Sequence, residues 1–412
     1  MYRIADGPVC RTPDGARESP VRDSAFRVFR LCLRYTGSIV SFPAIRLLRF
    51  ARIYLVPGAV MQSIMIGGAY GTGQEMIEFF TRFGIGGGVL GLCVTLVAMA
   101  IIFSLSLDVA RKFQVFDYRR FARVLLGRAW PLYEIVAILL ILLVLAVITA
   151  AAGSILAEEF GIPDIVGGAL VFVAVGVLIF FGRGWVTTVL SFWSLFLYGV
   201  FAAYFVAAFT LLEPSVEALE FGVEPGWFVS GLNYAFYNIA AIPIALYAAM
   251  AIETRRQALT AGMVGACIAV LPALMLHLSF AVDYPAVLDA ELPVYQLLGK
   301  LDIRWLSVVY LVIIFGTFIE TAAGSIQGII ERIEGAIFER RGGGLGAVKH
   351  GLIALGIMAT AILCSRAGLI NLIREGYSTI AWGFMLFYAL PLVTVGIYKL
   401  YFQRDSQGQG DD

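Results

Sequence analysis

Charge is what this 412-residue chain has least of. Only 14% of it is Asp, Glu, Lys or Arg, against 60% hydrophobic residues, and its mean hydropathy is +0.87. Soluble domains carry about 25% charged residues, so an ordinary soluble enzyme is excluded. Thirty basic and 29 acidic side chains nearly cancel to +1, which removes a nucleic-acid-binding polycation. Histidine is reduced to His277 and His350. The five cysteines, Cys10, Cys32, Cys93, Cys267 and Cys364, are odd in number and scattered without CxxC spacing. A disulfide scaffold, a zinc site and a haem site therefore have no support. Missing too are GxSxG, HExxH, paired-Asp and Walker patterns, which argues against an intramembrane enzyme and an ATP-driven pump. The first 52 residues contain no apolar core followed by a small-residue cleavage site, so no signal peptide is expected.

What the chain has is apolar length and 44 glycines, the mixture expected where helices pack closely in lipid. A helical span needs about 20 apolar residues to cross about 30 Å of hydrocarbon. Ten such stretches follow one another, at 53–81, 86–107, 131–156, 163–182, 185–212, 227–253, 257–282, 304–331, 347–365 and 377–400. With the N-terminus inside, the tail and the connections on that side hold 25 of the basic residues. The other side holds five: Arg82, Lys300, Arg304, Arg366 and Arg374. The outer connection Glu213–Gly226 adds four glutamates and no base. This asymmetry predicts both termini in the cytoplasm of a bacterium, with the spans in its inner membrane. Residues 24–52 interleave Arg27, Arg30, Arg34, Arg46, Arg49 and Arg52 with apolar residues. They suit either a basic segment lying on the anionic leaflet or a plain positive-inside anchor.

Two spans are interrupted. The first carries Gly67-Gly68-Ala69-Tyr70-Gly71-Thr72-Gly73-Gln74-Glu75, and the sixth carries Asn233-Tyr234-Ala235-Phe236-Tyr237-Asn238 and then Pro243. Backbone groups freed by such breaks must find partners inside protein or a wet cavity. Breaks five spans apart divide the chain into two five-span halves of opposite orientation, the pattern of inverted-repeat secondary transporters. The expected organisation is a basic N-terminal segment (1–52), a first repeat (53–213), a second repeat (226–402) and a polar tail (403–412).

The stretch Gly67 to Phe80, GGAYGTGQEMIEFF, with the tyrosine- and asparagine-rich sixth span, resembles the YkvI-type putative amino-acid permeases. That family sits in the amino acid–polyamine–organocation superfamily. The resemblance implies an all-α polytopic fold of about ten helices, a LeuT-type 5+5 inverted repeat with helices one and six broken. It also implies a cation-coupled permease.

A break at Gly67–Gly73 turns two half-helix ends toward a cavity. The second half, starting near Thr72, would offer free N–H groups to a substrate carboxylate, with Gly71 and Gly73 permitting close approach. The expected substrate contacts are Gly67, Gly68, Tyr70, Gly71, Thr72, Gly73 and Glu75, faced by Tyr234, Tyr237 and Asn238. Glu75 has two readings. Thr72-Gly73-Gln74-Glu75 fits a capping box, and the carboxylate could instead hold a substrate amine or a coupling proton. Glu78 is expected nearer the outer interface. On span eight, Thr317, Glu320, Thr321, Gly324 and Ser325 share one helix face. A glutamate deep in an apolar span costs about 2.5–3.5 kcal/mol on insertion scales, so it faces protein or water. The resemblance implies a sodium site between the first-helix carbonyls and span eight, here Ile66 and Ala69 with Thr317, Glu320 and Thr321. Glu320 is then a sodium ligand, a proton carrier in its place, or a buried glutamate hydrogen-bonded to a neighbour. His277, Glu134 and the Arg374-Glu375 pair are set aside as interfacial.

The function expected is secondary active transport of a small polar solute, an amino acid first, driven by sodium or protons through alternating access. The alternative is a membrane sensor or receptor built on a transporter fold. A channel would need filter-like segments or ring-forming charge, which are not seen. The partners are a small-molecule substrate and the bilayer, with no nucleic acid. No cofactor is expected beyond a sodium ion.

Overall fold

A computed structural model describes residues 42–180, 183–341 and 346–402. No β-strand occurs among them. The chain divides into two units, Met1–Ala51 and Arg52–Asp412. Of the first unit, residues 42–51 are described: the helix Phe42–Phe50, carrying Arg46 and Arg49 beside exposed Leu47, Leu48 and Phe50, and then Ala51. The expected basic face at Arg27, Arg30 and Arg34, and the tail 403–412, lie outside the described residues.

The second unit holds the spans. Among the described residues, six helical stretches are long and apolar enough to cross a membrane: Gln74–Phe113, Tyr118–Phe160, Trp227–Ala251, Arg255–Val282, Arg304–Gly335 and Leu369–Phe402. Shorter apolar helices run Asp164–Val177, Phe196–Leu211 and Lys349–Ser365. Span one is missing from that series because it is two pieces, Val56–Met65 and Gln74–Phe79. We keep the span numbers used above, so that span two is Gly84–Phe113, three Trp130–Phe160, seven Arg255–Ser279 and eight Arg304–Arg341. Span eight, at 38 residues, is roughly 57 Å long at 1.5 Å per residue, far more than the hydrocarbon requires.

Spans one, two, six and seven pack on one another, and spans three, four, eight and nine form a second set. The glycines explain the closeness of the first set. A Cβ on Gly58 of span one would meet the Gly265 Cα of span seven at 2.5 Å. A Cβ on Gly231 of span six would meet the Gly91 carbonyl oxygen of span two at 2.4 Å, where Thr95 Oγ1 also donates to the Gly231 carbonyl (2.8 Å). Small residues let backbones approach, and in lipid that contact replaces the hydrophobic effect as the main attraction between helices.

Breaks fall where the glycine and proline patterns place them, but they differ in kind. Span one truly unwinds at Gly67, whose backbone is extended (φ −68°, ψ 170°). Span six only tightens: Trp227–Asn238 passes into 3-10 turns at Ile239–Ala241 and Leu246–Ala251 around the short helix Ile242–Ala245. Span ten has a feature with no sequence signal, three π turns, of which Leu372–Tyr377 lies nearest the break in span one.

Candidate functional site

The helix Val56–Met65 closes with the Ile66 N–H donating to the Gln62 carbonyl (2.9 Å). The chain then runs extended at Gly67, makes a 3-10 turn over Gly68–Thr72 and reverses at Gly73, φ +85°. Only glycine adopts that conformation without strain. A Cβ there would also lie 2.6 Å from Phe280 and 2.9 Å from Val294. The second half-helix therefore starts at Gln74, not at Thr72. Thr72 Oγ1 accepts from the Gln74 N–H (3.2 Å), but the N-cap is Gly73. The capping-box partner expected of Glu75 is not what it meets. Its Oε2 accepts instead from the Tyr237 hydroxyl of span six.

That contact organises the centre. Tyr237 stacks on Tyr377 from the first π turn of span ten, ring centroids 4.6 Å apart and 9° from parallel. Phe79 lies 5.6 Å from Tyr237 on another side. Asn238 Nδ2 donates to the Tyr234 carbonyl (2.9 Å), one turn back on its own helix. A cavity of about 180 Å³ is lined by Gly67, Glu75, Tyr237, Asn238, Thr321 and Tyr377, with Tyr133 and apolar residues of span three on its far wall. Glu75 is 4% exposed. A carboxylate so sheltered needs a cation, a proton or donors around it.

The cavity shares Gly67, Thr321, Ser325 and Arg332 with a larger vestibule of about 870 Å³. Here the polar stripe of span eight faces open space, with Thr317, Glu320, Thr321, Gly324 and Ser325 all in the wall, beside Ile66, Gly67 and Tyr198. Thr321 Oγ1 would stand 3.2 Å from a Cβ on Gly67, so span eight meets span one at the break itself. The Thr317 hydroxyl donates to the Ile313 carbonyl, one turn back (2.9 Å). Glu320 makes no hydrogen bond or ion pair among the described residues, so the reading of it as a structurally bonded glutamate finds no partner.

Ion pairs stand at both ends. Glu78, a buried carboxylate, accepts from Arg82 Nη1 (2.8 Å) and from Arg374 Nε (2.7 Å) and Nη2 (2.9 Å). Arg374 thus pairs with Glu78 rather than with Glu375 beside it. On the side of the helix Tyr118–Leu126, Glu134 Oε2 lies 2.8 Å from Arg332 Nη1. The Arg332 guanidinium sits 4.2 Å over the Tyr118 ring. His277 is fully buried, with Nε2 donating to the Ile85 carbonyl and Nδ1 against Thr81 Oγ1, both at 2.9 Å. It is a structural tie, with both ring nitrogens hydrogen-bonded.

Several expected contacts are not in the cavity. A Cβ on Gly71 would strike Ile314 at 2.8 Å, and the Gly71 carbonyl accepts from the Tyr310 hydroxyl (2.7 Å). With Gly73 covered by Phe280, Val294 and Pro293, the helix end meant for a carboxylate is closed by protein. Tyr70 and Tyr234 are buried outside the cavity lining, their hydroxyls without a hydrogen-bond partner among the described residues. Gly68 and Ala69 lie in the 3-10 turn. Sequence reasoning missed Tyr133, Tyr377 and Arg332. Arg332 alone had a visible signal, a basic residue twelve positions beyond Glu320 on the same apolar span.

No protein-family model matches the chain. It is 24% identical to the uncharacterized membrane protein YkvI of Bacillus subtilis strain 168 over 330 residues, 76% of this chain and 88% of that one. Among solved structures it is similar to the manganese transporter of Eremococcus coleocola, with TM-score 0.58, 14% identity, and 86% and 81% of the two chains covered. It is also similar to a Na+-coupled sialic acid symporter, with TM-score 0.52, 12% identity, and 84% and 79% covered. These likenesses give the fold: an all-α polytopic membrane protein of the LeuT type, in which span one of this chain is unwound and span six tightens into 3-10 turns. The cargo of those proteins does not come with it. Among the described residues no group of three or more His, Cys, Asp or Glu is placed to hold a metal ion.

Proposed function

We propose that this protein is a secondary active transporter of a small polar solute, an amino acid first, driven by a sodium or proton gradient across the bacterial inner membrane. The observation that carries the reading is the sheltered Glu75 in a small cavity between two interrupted helices, continuous on one side only with a vestibule. Toward the other side, Gly73 is covered by Phe280 and Val294, and Glu78 is clasped by Arg82 and Arg374. A site open to one side and shut to the other is one half of alternating access.

In this reading Glu75 and the Tyr237 hydroxyl hold the solute's ammonium group, and the Tyr237 and Tyr377 rings pack its body. Because the Gly73 helix end is occupied by protein, the solute's carboxylate is held from the Asn238, Thr321 and Ser325 side of the cavity. The coupling ion is cargo, not a resident cofactor. It binds at the vestibule wall, between the Ile66 and Ala69 carbonyls and Thr317, Glu320 and Thr321. Both termini and the vestibule are cytoplasmic.

The test is uptake into proteoliposomes of a pooled set of labelled amino acids, under separate sodium and proton gradients. Uptake with one gradient, lost in Glu75→Gln and Glu320→Gln, is the expected result. Folded protein that takes up nothing under either gradient overturns the assignment and leaves the sensor alternative.

A further inference from the structure

A third cavity belongs to neither the site nor its vestibule. It is a groove of about 1000 Å³ between spans three, four and eight, roofed at one end by the helix Pro293–Leu301. Its walls are Leu156, Leu170, Ala174, Val312, Phe315 and Ile319. Leu170, Val308 and Val312 are about half exposed, so the groove opens sideways to whatever surrounds the helices. Polar side chains gather only at the roofed end: Glu159, whose carboxylate accepts from the Tyr295 hydroxyl, with Asp302 and Arg304.

We infer that this groove is a binding site for one membrane lipid with a zwitterionic, ammonium-bearing headgroup, a phosphatidylethanolamine. Three observations point there. From Arg304 to Ile319 the groove follows span eight for roughly 22 Å, more than half of the ~30 Å hydrocarbon core, which suits acyl chains anchored at one interface. Between its ends the lining is apolar, from Leu156 and Leu170 to Phe315 and Ile319, which suits alkyl chains lying along it. The rim is matched in charge to an ammonium and a phosphate together. Glu158 and Glu291 stand beside Glu159, Ser154 Oγ donates to Glu291 (2.7 Å), and Asp302 lies across from them. Among the described residues these carboxylates face a single cation, Arg304 at the start of span eight, because Lys300 is taken by Asp283. A phosphatidylglycerol would bring the same phosphate to Arg304 but an uncharged glycerol in place of the ammonium, leaving the carboxylates without a cation.

Native mass spectrometry of the full-length protein, released from nanodiscs of mixed phosphatidylethanolamine and phosphatidylglycerol with identical chains, reads this directly. One ethanolamine lipid retained per chain, about five-fold over the glycerol lipid, is the expected result. Glu159→Gln lowers that preference, Arg304→Gln lowers retention of both lipids, and Ala174→Trp, which fills the trough, removes the retained lipid. Equal retention of both lipids by the unaltered protein overturns the proposal without relying on any variant. So does an undiminished adduct in folded Ala174→Trp, or a dimer that occludes the groove. Uptake is not the readout, so this inference stands or falls separately from the transport assignment.

Discussion

The two ends of the central cavity are both guarded by an acid and an arginine, yet they are built differently. At the closed end the acid is the buried partner: the Glu78 side chain is 4% exposed, while Arg82 and Arg374 are 39% and 42% exposed. Three aligned, charge-assisted hydrogen bonds converge on it. At the open end Glu134 and Arg332 are both sheltered, at 14% and 10%. Their 2.8 Å contact lacks hydrogen-bond alignment, since Glu134 Oε2 and Arg332 Nη1 have no hydrogen-bond partner among the described residues. One end is latched by directed bonds. The other is held by proximity beside open space, and a pair of that kind separates at lower cost.

Predictions that break or sharpen this contrast run from the site between the two ends outward. Glu75→Gln should lower gradient-driven uptake on the order of 100-fold, the loss of one charged hydrogen-bonding group at the solute. Gradient-driven uptake at the wild-type rate would remove Glu75 from the site. Next, Glu78→Ala should destabilise the purified protein by about 2 kcal/mol in thermal or denaturant unfolding. That is less than the 3–5 kcal/mol typical of a broken buried pair, because the two stranded arginines can reach water. Glu134→Ala should cost about 1 kcal/mol, since Arg332 keeps the Tyr118 ring and a wet vestibule. If Glu134→Ala is the more damaging of the two, the contrast is wrong. A double-mutant cycle sharpens it further, with a Glu78–Arg374 coupling larger than the Glu134–Arg332 coupling. The smallest effect belongs to Gly67→Ala. Its Cβ would come within 3.1 Å of the Ile64 carbonyl and 3.2 Å of Thr321 Oγ1, a shift costing about 1 kcal/mol at most, read as a slower uptake rate from folded protein.

Much of this was written in the sequence because lipid leaves the backbone few options. Apolar length gave the spans, and the run of glycines in span one gave the unwound stretch at Gly67. The shared face of Thr317, Glu320 and Thr321 gave the polar wall of the vestibule. What failed to show depends on distance between segments. Tyr377 reaches the site from a π turn that no local propensity announces, and Arg374 prefers a glutamate 296 residues away to the one beside it. The capping box at Thr72 failed because tertiary contacts with Phe280 and Val294 favoured a left-handed Gly73 as the cap. Gly71 and Gly73 were expected to make room for a ligand. They make room for side chains instead, which composition cannot distinguish.

His277 has a mechanical consequence. It fastens the turn at Thr81 and the start of span two to span seven. Lower on the same span, Gly265 lies against Gly58, and the Ile268 carbonyl accepts from Gln62 Nε2 (3.0 Å). Both arms of the interrupted helix are therefore bolted to one continuous rod. The gap at Gly67 then works as a fixed elbow rather than a hinge, and whatever tilts span seven swings both arms together.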